Sequence, residues 1–357
     1  MRLYHPALIV FIAFGCHAAC AADYPAPKEV DFVVHDFQFK SGERLAEIRI
    51  HYATFGEPRT DGGRVVNAIL LLHSTGGSLR QYLTPNFAGV LFAPGQLLDA
   101  QKYFIILPDN IGHGKSTKPS DGLRTRFPHY GYEDMIELQH RLVTDGLHVN
   151  HLRLVIGASM GGMHTWMWGE RYPEMMDALM PLASQPIEIA GRNRMWRRTL
   201  IDCIRNDPQW NNGDYKTQPS SLRSAIELLL IMGANTQRAQ KDLPTREKAD
   251  AYLEEQSAAR LKTTDANDLI YCVDASHDYN PEGDLEKITA PLTAVNSADD
   301  AINPPELGLI DKAILRVKTG KYVLIPASDQ TRGHGTHSYP VFWQEHLAAL
   351  LERSEKH

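Results

Sequence analysis

Leu152-Arg-Leu-Val-Ile-Gly157-Ala158-Ser159-Met160-Gly161-Gly162-Met163 runs an apolar, β-branched stretch into Gly-x-Ser-x-Gly and on into a helical pattern. Strand, tight turn and helix in that order form the context of a nucleophile elbow. The turn is so sharp that backbone passes close to backbone, and a Cβ at Gly157 or Gly161 would obstruct it. It exposes the Ser159 hydroxyl at the carboxyl edge of a sheet and leaves the Met160 N–H at a helix N-terminus, where an oxyanion can be stabilised.

Outward from the elbow, β-rich runs come first: Asp31 to Phe39, Ala46 to Thr54, Asn67 to His73 and Tyr103 to Leu107. They then alternate with helical patterns. Glu133 to Leu147 and Gly161 to Tyr172 read as helices, and Leu152 to Ile156 and Ala178 to Leu182 as strands. Continuous apolar strands alternating with helices predict a buried, mostly parallel sheet flanked by helices. Between about Gln185 and Glu286 the alternation stops, and helical stretches such as Leu222 to Met232 and Thr245 to Leu261 stand without an apolar strand. The alternation resumes with strand Leu292 to Val295, helix Pro305 to Val317, strand Tyr322 to Ile325 and a terminal helix Val341 to Glu352. The expected organisation is an α/β core over 22–184 and 287–357 with a helical cap inserted over 185–286.

A serine at its ordinary pKa is a weak nucleophile, so it needs a base, and the base needs an orienting carboxylate. In this architecture the partners follow in the order acid, then histidine. Asn296-Ser-Ala-Asp299-Asp300-Ala-Ile-Asn-Pro304 follows one late strand and Arg332-Gly333-His334-Gly335-Thr-His337 the next. Either aspartate and either histidine fits; His334, directly after Gly333, is preferred. The turn His73-Ser74-Thr75-Gly76-Gly77 after the third β-run should supply the second oxyanion N–H, placed by position at Thr75, with His73 fixing the loop by hydrogen bonds. Such chemistry needs no cofactor.

Several other readings fall away. Asp109-Asn-Ile-Gly112-His113-Gly114-Lys115-Ser116 ends like a phosphate-binding loop, but Asp109 stands where the leading glycine belongs, so it reads as a turn near the site. His334 and His337 lack further ligands at metal spacing. With 37 Lys+Arg against 43 Asp+Glu among 357 residues, the formal charge of −6 carries no basic footprint for nucleic acid. No apolar run reaches the roughly 20 residues of a membrane-spanning helix, so stable membrane insertion is not expected. The expected partner is a small-molecule acyl substrate; oligomeric state is not written in these motifs.

The first residues, MRLYHPALIVFIAFGCHAACAA, place Arg2 before an apolar run and then a small-residue stretch, the pattern of a secretory signal peptide over 1–21, cleaved after Ala21 or Ala22. A periplasmic or secreted enzyme is therefore expected. Cys16 and Cys20 stand in poor contexts for lipid attachment, and the mature chain would keep only Cys203 and Cys272, as a disulfide or as two thiols.

These residues resemble the α/β-hydrolase superfamily and, within it, the homoserine O-acetyltransferase-like family. The similarity lies in the elbow, in Asp134-Met135, in Arg171-Tyr-Pro173, and in Asn193-Arg-Met-Trp-Arg197 followed by Asp207-Pro208-Gln-Trp210. The resemblance implies Ser159 as nucleophile, Asp300 as acid, four residues before Pro304, and His334 as base. It also implies Arg197 as the residue meeting a substrate carboxylate. One departure matters: Gly335 stands where the acetyltransferases carry an aspartate understood to receive the amino group of homoserine. With the export leader, this favours an exported serine esterase over an acyltransferase. A non-enzymatic binding protein on the same scaffold is the remaining alternative, opposed by the intact Ser159, Asp300 and His334.

Overall fold

The computed structural model describes residues 24–355, so the leader expected over 1–21 lies outside the described residues. Eight strands build the main sheet: β1 (Lys28–Gln38), β2 (Arg44–Phe55), β3 (Ala68–Leu72), β4 (Phe104–Pro108), β5 (Leu154–Ala158), β6 (Leu179–Leu182), β7 (Leu292–Ser297) and β8 (Gly320–Ile325). Their spatial order is β1-β2-β4-β3-β5-β6-β7-β8. Strand β2 pairs antiparallel with β1 and β4, and every pairing from β4 to β8 is parallel.

Every residue of β3, β4, β5, β6 and β7 is buried, which is why these strands read as apolar runs and not as alternating ones. Alternation survives as a division between two cores. Leu70, Leu72, Val155 and Leu179 pack on one face with α1 (Tyr132–Arg141) and α2 (Met160–Arg171), through Met135, Leu138, Met163 and Trp166. Ile69, Leu71, Leu154 and Ile156 pack on the other with Phe92, Trp343 and Leu347.

Between β6 and β7 the main helices are α3 (Gly191–Arg205), α4 (Ser221–Gly233), α5 (Thr236–Asp242), α6 (Arg246–Leu261) and α7 (Ala266–Asp274). Asn235, Thr245 and Asp265 cap the starts of α5, α6 and α7 with their side-chain oxygens. The last helix, α8 (Gln344–Arg353), closes the fold. One helix expectation needs correction. Pro305 to Val317 is not continuous: Gly308 takes a left-handed φ of 60° and splits it into short turns. The run from Glu133 ends as an α-helix at Arg141 and finishes in a π-turn over Leu142–Gly146. Among the described residues no helix is long and apolar enough to cross a membrane. Cys203 and Cys272 are free thiols.

Candidate active site

In parallel register Leu72 of β3 pairs with Gly157 of β5, and Ala158 of β5 with Leu182 of β6, so three strands end at one level. Ser159 stands on that edge with φ 55° and ψ −114°, its N–H donating to the Leu182 carbonyl at 2.9 Å. A side chain at positive φ is strained. The close packing of the elbow enforces the strain: a Cβ on Gly157 would lie 2.2 Å from the Gly161 carbonyl oxygen, and one on Gly161 only 1.9 Å from that of Leu72. Met160 begins α2, so its N–H has no partner within the helix.

Ser159 is only 8% exposed, and its Oγ lies 2.8 Å from His334 Nε2. His334 Nδ1 is 2.9 Å from Asp300 Oδ2. Asp300, 1% exposed, also accepts from the N–H groups of Ile302 (2.8 Å) and Asn303 (3.0 Å). Burial pushes its pKa up, but the charge and hydrogen bond of His334 and the two amides outweigh this, leaving it below the ordinary carboxylate value. An ionised Asp300 accepts from Nδ1–H, which leaves Nε2 free to take a proton from the serine.

The open choices of sequence are separated by these contacts. Asp299 does not touch His334; its carboxylate faces Asn235, Thr331 and the Gly333 N–H. His337 lies with its ring nearly perpendicular to that of His334, centroids 5.5 Å apart, and its Nδ1 is hydrogen-bonded to the Ser338 hydroxyl at 3.1 Å. Burial and the neighbouring His334 push His337 down to about 3.

Thr75 lines the cavity that opens over Ser159. Its loop is tied down on both sides. Ser74 Oγ donates to the Ala158 carbonyl at 3.2 Å, and Gln81 Oε1 accepts from the Ser74 N–H at 3.1 Å. His73 behaves as expected: its Nδ1 bonds to the Ser74 carbonyl at 2.9 Å, and its Nε2 accepts from the Asn110 N–H at 3.1 Å. Burial lowers its pKa to about 4. Sequence reasoning missed what stands behind it. Gln139 donates to Asn110 Oδ1 at 2.6 Å, bonds to His164 Nδ1 at 3.0 Å, and accepts from Trp168 Nε1 at 2.8 Å. Nothing in the motif spacing marks these residues, since the network joins α1, α2 and the loop after β4 only in three dimensions. The phosphate-loop lookalike is a turn fixed by Asp109, which accepts from the N–H groups of Leu79 (2.6 Å) and Lys115 (2.8 Å).

The cavity holds about 700 Å³ and is roofed by α3 to α6. Trp196, Ile226, Leu229, Leu230 and Leu243 give it an apolar wall. Arg197, 2% exposed, also lines it, held by Asn193 Oδ1 at 2.9 Å, Ser276 Oγ at 3.2 Å and the Val273 carbonyl at 3.3 Å. Among the described residues it has no carboxylate partner, and burial lowers its pKa. Gly335 faces the same space; a Cβ there would meet only Arg332 Cβ, at 3.7 Å. No group of three or more His, Cys, Asp or Glu among the described residues could hold a metal ion.

Residues 67–328 match the family model of the alpha/beta hydrolase fold. The chain belongs to that family. This α/β-hydrolase is similar to a homoserine O-acetyltransferase of Methanohalophilus mahii, 29% identical over 301 residues, which are 75% of this chain and 60% of that one. The chain thus spans less than two thirds of that relative. Among solved structures, a homoserine O-acetyltransferase from Bacillus anthracis superposes with a TM-score of 0.80 at 20% identity, covering 92% of this α/β-hydrolase and 98% of the other chain. The esterase E22 superposes with a TM-score of 0.79 at 19% identity, covering 92% and 100%. At such identities the superpositions establish the fold alone.

Proposed function

We propose that the protein is an exported serine hydrolase that cleaves a carboxylic ester through an acyl-enzyme. The observation that carries this reading is the hydrogen-bonded chain from Ser159 Oγ through His334 to Asp300, opening on a cavity of about 700 Å³ with one apolar wall and Arg197 in its lining. In the first half-reaction His334 Nε2 takes the Ser159 proton as Oγ attacks the ester carbonyl. The amides of Met160 and Thr75 receive the developing oxyanion, and His334 returns the proton to the leaving alcohol. Water then gives its proton to His334 and attacks the acyl-enzyme, releasing acid and free serine. Arg197, buried without a counter-ion among the described residues, pairs with a substrate carboxylate, since an unpaired buried charge is costly.

The second reading is acyl transfer to an alcohol, favoured by the curated similarity to a homoserine O-acetyltransferase. It uses the same residues, because water and alcohol differ only in which nucleophile the cap admits. Gly335 supports hydrolysis over homoserine acetylation: a Cβ there would meet only Arg332 within 4 Å, so that position supplies no carboxylate for an ammonium group, although Asp242 lines the same cavity. The test is a panel of short-chain aryl esters with and without homoserine or a simple alcohol. Acid release that alcohols do not divert supports the hydrolase; acyl transfer outpacing hydrolysis supports the second reading. Export rests on the composition of residues 1–21, and the N-terminal residue of the protein recovered from outside the cytoplasm tests it.

A further inference from the structure

Asp299 stands beside Asp300 in sequence but serves a different structure. Its Oδ2 accepts from three donors: the Gly333 N–H at 3.0 Å, the side-chain amide of Asn235, and Thr331 Oγ1 at 2.8 Å, whose single proton is shared with the Ser328 carbonyl at 2.9 Å. Its Oδ1 accepts from Ser297 Oγ. Gly333 and Thr331 belong to the loop that carries His334, whereas Asn235 lies in the cap, between α4 and α5. Asn235 itself is 5% exposed and fully engaged. Its Oδ1 caps α5 by accepting from the Arg238 N–H at 2.6 Å, and its second amide hydrogen is shared between the Ser328 carbonyl at 3.3 Å and Thr331 Oγ1 at 3.2 Å.

The backbone contact is as close. Gly333 has φ 59°, and a Cβ there would sit 3.0 Å from the Ala234 carbonyl oxygen and 3.1 Å from the Asn235 nitrogen, so the α4–α5 junction rests directly on the residue before His334. Helix α4 carries Ile226, Leu229 and Leu230 of the cavity roof, and α5 carries Ala239. One carboxylate therefore joins the end of β7, the base loop and the cap. Charge-assisted hydrogen bonds of this kind are the strong ones, and three converge on one oxygen.

We propose that Asp299 is a positioning residue that clamps the α4–α5 junction of the cap onto the His334 loop, fixing imidazole and cavity roof relative to each other. This rests on the reading of His334 as the base of Ser159. Asp300 orients the ring from behind, and Asp299 sets where the ring's backbone stands. A displacement of about 1 Å in a reacting group can cost on the order of 10²-fold in rate, so loosening this clamp should act on turnover more than on binding.

The role depends on accepting hydrogen bonds, which the charge strengthens but does not create. In Asp299→Asn the amide oxygen can take the place of Oδ2 while the new NH2 donates to Ser297 Oγ. The experiment compares Asp299→Ala, Asp299→Asn, Asn235→Ala and the double alanine variant, reading kcat, KM and the rate of fluorophosphonate labelling of the serine, with urea unfolding measured alongside. Expected are a loss in kcat of about 10- to 100-fold in Asp299→Ala with KM changed less than about threefold, a matching loss in labelling rate, and a smaller loss in Asn235→Ala. Asp299→Asn should recover most of the activity, and the double variant should be no worse than Asp299→Ala because both changes break one clamp. If Asp299→Ala does not fold, Asn235→Ala and Thr331→Val carry the test. The proposal is overturned if the alanine variants keep kcat within about twofold, or lose only KM, while His334→Ala is inactive. Activity surviving in His334→Ala would instead sink the underlying reading.

Discussion

Acid should destabilise this protein well above the pH at which its carboxylates are lost. Five described histidines have depressed pKa values: His140, which is partly buried, and four in apolar or crowded surroundings. Burial is the leading cause in each: His73 is held at about 4, His113 and His337 at about 3, and His164 well below its ordinary value. An unfolded histidine titrates near 6.5. As pH falls below that value the unfolded chain binds protons that the folded chain refuses, so this stability is fully present above about pH 6.5 and is lost as pH falls toward the folded values. Between pH 7 and 5 each of the three held at about 3 to 4 contributes a loss of about 1.8 kcal/mol, about 5 kcal/mol together, and His164 and His140 act in the same direction. Two acids act in the opposite sense. Burial raises Glu170 to about 7 and Asp268 to about 6, so protonation on acidification relieves the folded state by about 3 kcal/mol together. Asp134 and Asp278, also raised by burial, trim the loss further.

The balance is a net loss of about 2 kcal/mol, which His164 and His140 enlarge and Asp134 and Asp278 trim, against the roughly 5–15 kcal/mol that a folded protein has. Urea unfolding followed by fluorescence at pH 7, 6 and 5 reads it directly. His113→Gln isolates one contributor: its own stability can change, but its slope between pH 6 and 4 should be flatter by about 1.4 kcal/mol per pH unit. Unfolding free energy that is flat or rising as pH drops from 7 to 5, with an unchanged slope in His113→Gln, would refute the reasoning.

Other outcomes follow from the site. His334→Ala should lose nearly all ester turnover while His337→Ala keeps a measurable part, since only His334 lies within reach of Ser159; the reverse ranking in an aryl-ester assay moves the base to His337. Asp300→Asn should be far more damaging than Asp299→Asn, because only a carboxylate both holds the imidazole tautomer and stabilises its charged form. Gly161→Ala should fail to give folded protein, as its Cβ would fall 1.9 Å from the Leu72 carbonyl oxygen; a soluble variant with native circular dichroism would contradict the elbow geometry. Homoserine should not be acetylated from acetyl-CoA at a useful rate, and Gly335→Asp should gain homoserine binding at best in part; robust acetylation by the unaltered protein would return it to the transferase reading.

Much of this architecture was legible because burial writes itself into sequence. Strands covered on both faces are mostly apolar, so β3 to β6 and the first part of β7 stood out, and the elbow announced itself through glycines that backbone contact requires. The break of the helix at Gly308 was less visible, since a lone glycine in an otherwise helical pattern is often tolerated. Pairs such as Asp299/Asp300 and His334/His337 could not be separated by loop position alone. Adjacent residues point in different directions, and which one meets Ser159 depends on contacts from the cap and from β7. The Asn110–Gln139–His164 network escaped altogether, because polar residues carry no periodic signature when their partners come from distant elements.

The central claim is that Ser159 is the nucleophile of an acyl-enzyme. Intact-protein mass spectrometry after reaction with a fluorophosphonate, followed by peptide mapping, tests it most directly. The account predicts a single adduct on Ser159, absent in Ser159→Ala, with ester turnover in that variant reduced by at least ~10³-fold although the fold is retained. An adduct that persists in Ser159→Ala, or ester turnover that survives the substitution, would contradict it.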